Sequence, residues 1–355
     1  MYNIYINHEN ILFWLNSIGQ IDPGSVTQDY EFWRNRQQGY NIALIELLEV
    51  SPGTEALVDR VCNDADLVVL YNLEFTDITW YKHYDRPNVC FFMPGDINFE
   101  LQHAQKFHYN NFFNEITTFY RKRRSWLNHL TTSKDKPLWF DVLLGRKKPH
   151  RELIYNTIDP SKNFVTYFKD TQDKDILQRE PSEFSWPTEL LSAVDRPVDF
   201  TMQQVYVDND WVSVSQVIPV DIYNQTHYTI VAETQADNEW IFCTEKIAKP
   251  MLAGRVFLVA SGQYYLRHLR NLGFKTFDGI IDESYDVQPN METRVELMLE
   301  QARWLMLQNP QEIYEKTQSI CEHNRTLMLE TDWLEQMITS SKQILLNKVQ
   351  GELLC

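Results

Sequence analysis

The 355-residue chain is poor in the features that mark the commoner catalytic and binding classes. Its five cysteines, Cys62, Cys90, Cys243, Cys321 and Cys355, are odd in number, scattered and free of any C-x-x-C spacing. That pattern argues against a disulfide frame or a zinc site and for reduced, structural thiols in a cytoplasmic protein. Positive charge is in deficit, with 33 Lys and Arg against 49 Asp and Glu and a net charge of -16. Such a field repels polyanions and leaves no general footprint for nucleic acid or an anionic membrane, so any phosphate site must be local. No apolar run reaches the roughly 18 residues of a membrane span, and the opening "MYNIYINHENILFW" lacks the basic start of a signal peptide. The G-x-G-x-x-G, G-x-x-x-x-G-K-[ST] and G-x-S-x-G patterns are missing, which counts against a dehydrogenase, a P-loop enzyme or a serine hydrolase. The histidines are dispersed with no H-x-x-x-H pair, so neither a metal site nor a bound cofactor is expected.

What is present is apolar and aromatic material, 43% and 13% of residues, on a chain longer than one core usually spans. Two domains follow. The runs 2–6, 40–48, 65–73 and 88–96 are short, apolar and separated by helix-sized stretches, the pattern of buried parallel strands in an α/β layer. Residues 112–130 have helical spacing and carry a basic turn, Arg121–Arg124. The polar stretch 131–136 reads as a linker. A second α/β series then begins with "LWFDVLLG", the helix "PHRELIYNTI" and a strand at 163–169, turns irregular between about 170 and 215, and resumes at 227–234. From about 291 to 347 the apolar spacing is helical.

Two stretches carry chemistry. In "FDVLLGRKKPHREL" an apolar strand ends at Gly145, and Arg146, Lys147, Lys148 and His150 follow before a Pro149-led helix containing Arg151. A helix start with free N–H groups beside a cluster of cations is what a diphosphate needs in so acidic a chain. In "WIFCTEKIAKPMLAGRVFLVASG" Thr244 is placed to cap a short helix, Glu245 lies in its first turn, and the helix ends in a turn at Gly254 before a buried strand. Lys246 opposes the helix dipole there, which is favourable only if it covers an anion. We therefore expect Thr244 to start the helix, Glu245 to hold ligand hydroxyls and Lys246 to neutralise phosphate.

The run "HYTIVAET...WIFCTEKIAKPMLAGRVFLVASG" resembles the donor-binding signature of α1,3-fucosyltransferases and related glycosyltransferases of GT-B architecture, with matching positions at Glu233, Thr244, Glu245, Lys246, Ala253, Gly254 and Gly262. The match covers about a quarter of the chain. The family's Asn after the first Glu is Thr234 here, and "IFC" replaces its Tyr before the triplet, so nucleobase and sugar stay open. The segment "YYLRHLRNLGFKTFDGIIDESYD" is similar to phage and marine bacterial relatives. The resemblance implies an α/β, GT-B-like fold of two Rossmann-like domains facing across a cleft. Residues 1–130 would be the acceptor domain, 131–136 a linker, 137–290 the nucleotide-sugar donor domain, and 291–355 helices packing back on the N-terminal domain. It also implies an inverting, metal-independent sugar transfer, with Glu245 on the ribose, Lys246 on the pyrophosphate, and Arg146 or Arg151 on the phosphates from the opposite wall.

Such a transfer needs a general base, and Asp96 and Glu74 both follow apolar strands of the first domain. Asp96 is preferred because the Pro94–Gly95 turn would project it. The acceptor is expected to be a carbohydrate. A modified base of viral DNA is the alternative, with Arg121–Arg124 as its backbone contact, and a non-catalytic nucleotide- or sugar-binding module is the third reading. The triplets Asp64–Asp66, Asp173–Asp175 and Asp208–Asp210 have the form of metal-holding motifs, but the last reads as a hairpin turn. Asp282, Glu283 and Asp286 fit a cation, a sugar or simple helix capping.

Overall fold

Short apolar runs become strands here because both faces of each are covered, and branched and aromatic side chains fit a pleated, buried surface. The computed structural model describes residues 2–7, 26–36, 39–47, 52–72, 78–108, 110–131, 135–145, 147–167, 204–207, 210–238, 240–336 and 339. By internal packing the chain divides into two units, Met1–Asn111 with Asp332–Cys355, and Phe112–Thr331. Both are α/β units on parallel sheets. No helix among the described residues is long and apolar enough to cross a membrane.

The first unit contains strands β1 (Tyr2–Ile6), β2 (Val26–Thr27), β3 (Tyr40–Leu47), β4 (Leu67–Asn72), β5 (Val89–Met93), β6 (Asp96–Ile97) and β7 (Gln105–His108), with helices α1 (Tyr30–Arg36), α2 (Pro52–Asp64) and α3 (Ile78–His83). Six strands pair in the order β2-β1-β3-β4-β5-β7, every pairing parallel. The direction of winding reverses between β1 and β3, as in doubly wound sheets. Ile4, Leu44, Val69, Cys90 and Phe92 form its core. Helix α1 is tied to β1 by a reciprocal pair: Trp33 Nε1 donates to the Asn3 carbonyl and Asn3 Nδ2 to the Trp33 carbonyl, each at 3.0 Å. Asp64 accepts from the Tyr30 hydroxyl and Asp66 from the Asn41 amide, so this acidic pair serves the fold.

The second unit contains β8 (Leu138–Leu143), β9 (Phe164–Thr166), β10 (Gln204–Val207), β11 (Asp210–Ser213), β12 (Thr226–Ala232), β13 (Trp240–Ile241) and β14 (Phe257–Ala260). Its helices are α4 (Asn111–Lys122), which opens the unit, α5 (Pro149–Thr157), α6 (Val220–Gln225), α7 (Glu245–Ala253), α8 (Tyr265–Asn271), α9 (Met291–Leu305) and α10 (Pro310–Glu330). The sheet order is β14-β12-β8-β9, all parallel, so the winding reverses between β8 and β12. Strands β10 and β11 form the expected antiparallel hairpin, with Val207 opposite Asp210; Asp208, Asn209 and the Asp173–Asp175 triplet lie outside the described residues.

Two expectations about organisation differ from the structure. The 112–130 stretch, assigned by sequence to the first domain, packs in the second unit. Phe112 and Phe113 make edge-to-face contacts with Phe242 and Phe274, and the Tyr120 hydroxyl accepts from the Ile218 amide at 2.7 Å. The tail, expected from 291 onward on the N-terminal domain, divides: Asp332–Cys355 groups with the first unit as expected, whereas α9 packs on β14 and α5, and α10 on α7, in the second. Arg325 fixes α10 there, donating from Nε and Nη2 to the Leu252 and Ala253 carbonyls at the end of α7, where Gly254 takes the left-handed φ of 64° that closes the helix.

Candidate functional site

The sequence-predicted donor residues gather at the carboxyl ends of β8 and β12, on either side of the point where the second sheet reverses its winding. In open α/β sheets that crevice is where ligands bind, because the chains leaving the two strands diverge to opposite faces. Helix α5 starts just beyond β8 and α7 just beyond β13, so two helix N-termini open at the same edge. The N-cap of α5, Lys148, is extended and contributes no side-chain cap, and Pro149 at N1 has no N–H to satisfy. The positive end of the α5 dipole thus faces this edge, with the Glu152 amide already bonded to the Lys148 carbonyl at 2.9 Å.

Glu233, the residue after β12, anchors the edge. It is fully buried, and its carboxylate accepts from the Thr244 amide (3.1 Å), the Thr244 hydroxyl (2.7 Å) and the Tyr265 hydroxyl (2.7 Å). Burial raises its pKa, against the charge of Lys246 and the hydrogen bonds from Thr244 and Tyr265. Thr244 is the N-cap of α7 as expected, accepting from the Lys246 amide at 3.2 Å. Glu245 is nearly buried. Burial alone would raise its pKa, but Lys246 and Lys249 hold it below the usual carboxylate range. The Lys246 ammonium, 27% exposed, sits 2.9 Å from Glu245 Oε1 and 3.3 Å from the hydroxyls of both Thr234 and Thr244.

The basic stretch after β8 reaches the same place. Lys148 Nζ donates to Gln235 Oε1 at 3.3 Å. His150 and Arg151 are buried: His150 Nε2 bonds the Glu233 carbonyl at 2.9 Å, and Arg151 Nη2 donates to the carbonyls of Glu233 (3.0 Å) and Ala232 (3.3 Å). Since a carbonyl only accepts, His150 carries its proton on Nε2. Burial lowers its pKa to about 4, with Arg151 and Lys148 adding to the shift and the bond to Glu233 opposing it, so the ring is neutral. Arg151 brings a guanidinium next to Glu233 and Glu245, whose charges favour its protonated form against the cost of burial.

The structure thus brings Lys148, His150, Arg151, Glu233, Thr244, Glu245 and Lys246 together, in two tiers. His150, Arg151 and Glu233, read from sequence as ligand contacts, instead bond the protein's own backbone and cap and so fix the shape of the edge. Lys148, Glu245 and Lys246 form the tier a ligand would meet. Arg146 and Glu74 lie outside the described residues. Asp96 belongs to the first unit and lies 3.1 Å from Lys106 Nζ, an ion pair that no pattern in the sequence points to.

Two supporting residues, Tyr265 and Arg294, were missed, and a third, Asp286, takes the capping role that was one of its readings from sequence. Arg294, buried at 1% exposure, donates from Nε to the Ser261 carbonyl (2.8 Å), from Nη2 to the Ala236 carbonyl (2.7 Å) and from Nη1 to the Gln288 carbonyl, tying three loops of the carboxyl edge. Asp286 caps α8 from outside, accepting from the Leu266 amide at 2.8 Å and the Arg267 amide at 3.2 Å. Its acidic neighbours are also used within the fold: Glu283 accepts from Thr276, the Phe277 amide and Arg270, and Asp282 from the Ser284 amide. Among the described residues no cluster of three or more His, Cys, Asp or Glu is placed to hold a metal ion. Comparison with protein-family models, with curated proteins and with solved structures finds no match.

Proposed function

We propose that the chain is a glycosyltransferase of the GT-B kind, using a nucleotide-diphosphate sugar and a hydroxyl acceptor, with the second unit binding the donor. The observation that carries this reading is the meeting of the 148–151 and 233–246 stretches at one sheet reversal, where two helix N-termini and the ammonium groups of Lys148 and Lys246 share an edge. A diphosphate suits that edge: the positive ends of two helix dipoles and the two lysines favour its charge, while Glu245 accepts from ribose hydroxyls.

In an inverting transfer the acceptor oxygen attacks the anomeric carbon and its proton passes to a carboxylate. The sugar–phosphate bond breaks with its electron pair on the departing diphosphate, whose charge Lys246 and Lys148 neutralise. The base is assigned to the first unit, to Asp96 or Glu74, and the acceptor to a carbohydrate. The DNA reading loses part of its support, because two residues of the basic turn are used internally and a third is paired at the surface. Arg121 Nε donates to the Leu329 carbonyl at 2.6 Å, Arg123 is buried against Phe119 and Trp126, and Arg124 pairs with Glu330.

Isothermal titration of the full chain with GDP, UDP, CDP, dTDP and ADP tests the donor site. At least one is expected to bind, and Lys246→Ala to weaken it tenfold or more under conditions where circular dichroism shows the variant folded, since losing the Glu245 partner also lowers stability. Binding of none, or binding indifferent to Lys246→Ala, overturns the proposal. Release of free diphosphate from the matching nucleotide sugar then separates a transferase from a binding module.

A further inference from the structure

At the opposite edge of the second sheet, where the strands begin, lies a cavity of about 200 Å3 with no part in the donor site. It is bounded by the ends of α6 and α7, the starts of β12 and β14, and one face of α10. An apolar cavity of about 150 Å3 admits a benzene ring, so this one has room for a small aromatic molecule. Leu127, Leu130, Tyr223, Tyr314 and Val256 supply apolar wall.

The polar wall is cationic. Lys136, Arg255 and Arg325 all line the cavity. Arg255 is satisfied internally: it pairs with buried Asp141 at 2.8 Å and donates to the carbonyls of Tyr223, Thr226 and Tyr228. Asp141 is thereby taken, since it also accepts from the hydroxyls of Thr226 and Thr229. Lys136 is left with two carbonyls, Tyr223 at 2.8 Å and Thr226 at 3.0 Å, and Arg325 with the two at the end of α7. Neither makes an ion pair among the described residues. Burial and the neighbouring Arg255 push the Lys136 pKa down to about 7, with Asp141 offering partial relief. In a chain with 16 excess negative charges, Lys136 and Arg325 stand beside the Arg255–Asp141 pair with no carboxylate paired to either among the described residues. Glu322, exposed on α10, is the one acidic residue in the lining.

We infer that this cavity is a binding site for a small organic anion, an aromatic or aliphatic body of about benzene size carrying a carboxylate or phosphate that Lys136 and Arg325 receive. The apolar wall takes the body, and the charged head completes the donors that the protein leaves without a counter-charge. The site is separate from the proposed donor edge and does not depend on that function.

Isothermal titration of the full chain with phenyl phosphate and with benzoate tests it, with benzyl alcohol as the uncharged control. At least one anion should bind, at least tenfold more tightly than benzyl alcohol. Lys136→Met should weaken it about tenfold. Gln318→Trp, which plugs the cavity from an exposed position on α10 and touches no cation, should abolish it at an unchanged urea midpoint. Lys246→Ala should leave anion binding intact, and Gln318→Trp should leave nucleoside diphosphate binding intact, so the two sites succeed or fail independently. Binding of neither anion, equal binding of benzyl alcohol, or anion binding that survives Gln318→Trp would overturn the inference; loss with Lys246→Ala would instead place the anion at the donor edge and equally refute it.

Discussion

The Thr244 hydroxyl donates to Glu233 Oε2 at 2.7 Å, and the Thr244 amide donates to Oε1 of the same carboxylate at 3.1 Å. A strand end and a helix cap are joined by one buried acid, and the first turn of α7 takes its position from that joint.

Glu233→Gln removes an acceptor oxygen from a carboxylate that takes four hydrogen bonds, two from Thr244 and one each from the Thr234 amide and Tyr265. One buried donor must lose or weaken its bond, so the variant is expected to be less stable by about 1–2 kcal/mol. Urea unfolding at neutral pH measures this. Equal midpoints for variant and parent would show that the joint does not hold the edge.

His150 makes the protein acid-sensitive in a defined window. Its folded pKa is depressed to about 4 from an ordinary 6.5, so between those values the unfolded chain takes up a proton that the folded chain refuses. Stability from this group is complete above about pH 6.5 and falls as pH drops toward 4, by at most about 1.4 kcal/mol per pH unit. The raised pKa of Glu233 acts in the opposite sense, but it is common to parent and variant. The stability gap between the parent and His150→Asn should therefore narrow between about pH 7 and about pH 5 in urea titrations. A gap that stays constant would contradict a neutral, buried ring.

Two glycines of the carboxyl edge should respond differently to alanine. A Cβ at Gly262 would fall well inside contact distance of the carbonyl oxygens of Trp240 and Asp237, which are backbone and cannot swing away. Gly262→Ala is expected to cost roughly 2 kcal/mol or more, or to prevent folding. At Gly145 the nearest atom is Arg151 Nη1 at 3.4 Å, an ordinary contact, and Gly145→Ala should stay within about 1 kcal/mol of the parent. Thermal melts of the pair decide it, and similar losses at both would contradict the close approach at Gly262.

The strand runs at 2–6, 40–48, 65–73 and 88–96 were legible because burial on both faces writes itself as continuous apolar sequence. The edge strands Val26–Thr27 and Gln105–His108 were not, being short and polar. At the site, the Thr244 cap and the Gly254 turn could be read because capping and left-handed backbone are local. The roles of Glu233, His150 and Arg151 could not. Whether a charged residue faces a ligand or its own backbone is settled by partners far along the chain, such as Tyr265 beneath Glu233. Arg294 was invisible for the same reason: it sits in an ordinary helical pattern and acts on carbonyls that have no side-chain signature.

The first unit draws on both ends of the chain, Met1–Asn111 and the residues from Asp332 onward, whereas the second is one continuous stretch. During synthesis from the N-terminus, the second unit has emerged in full before the first has all its parts. Packing of the first unit therefore waits on residues made after the whole of the second, and a fragment ending at Asn111 would lack part of its own unit.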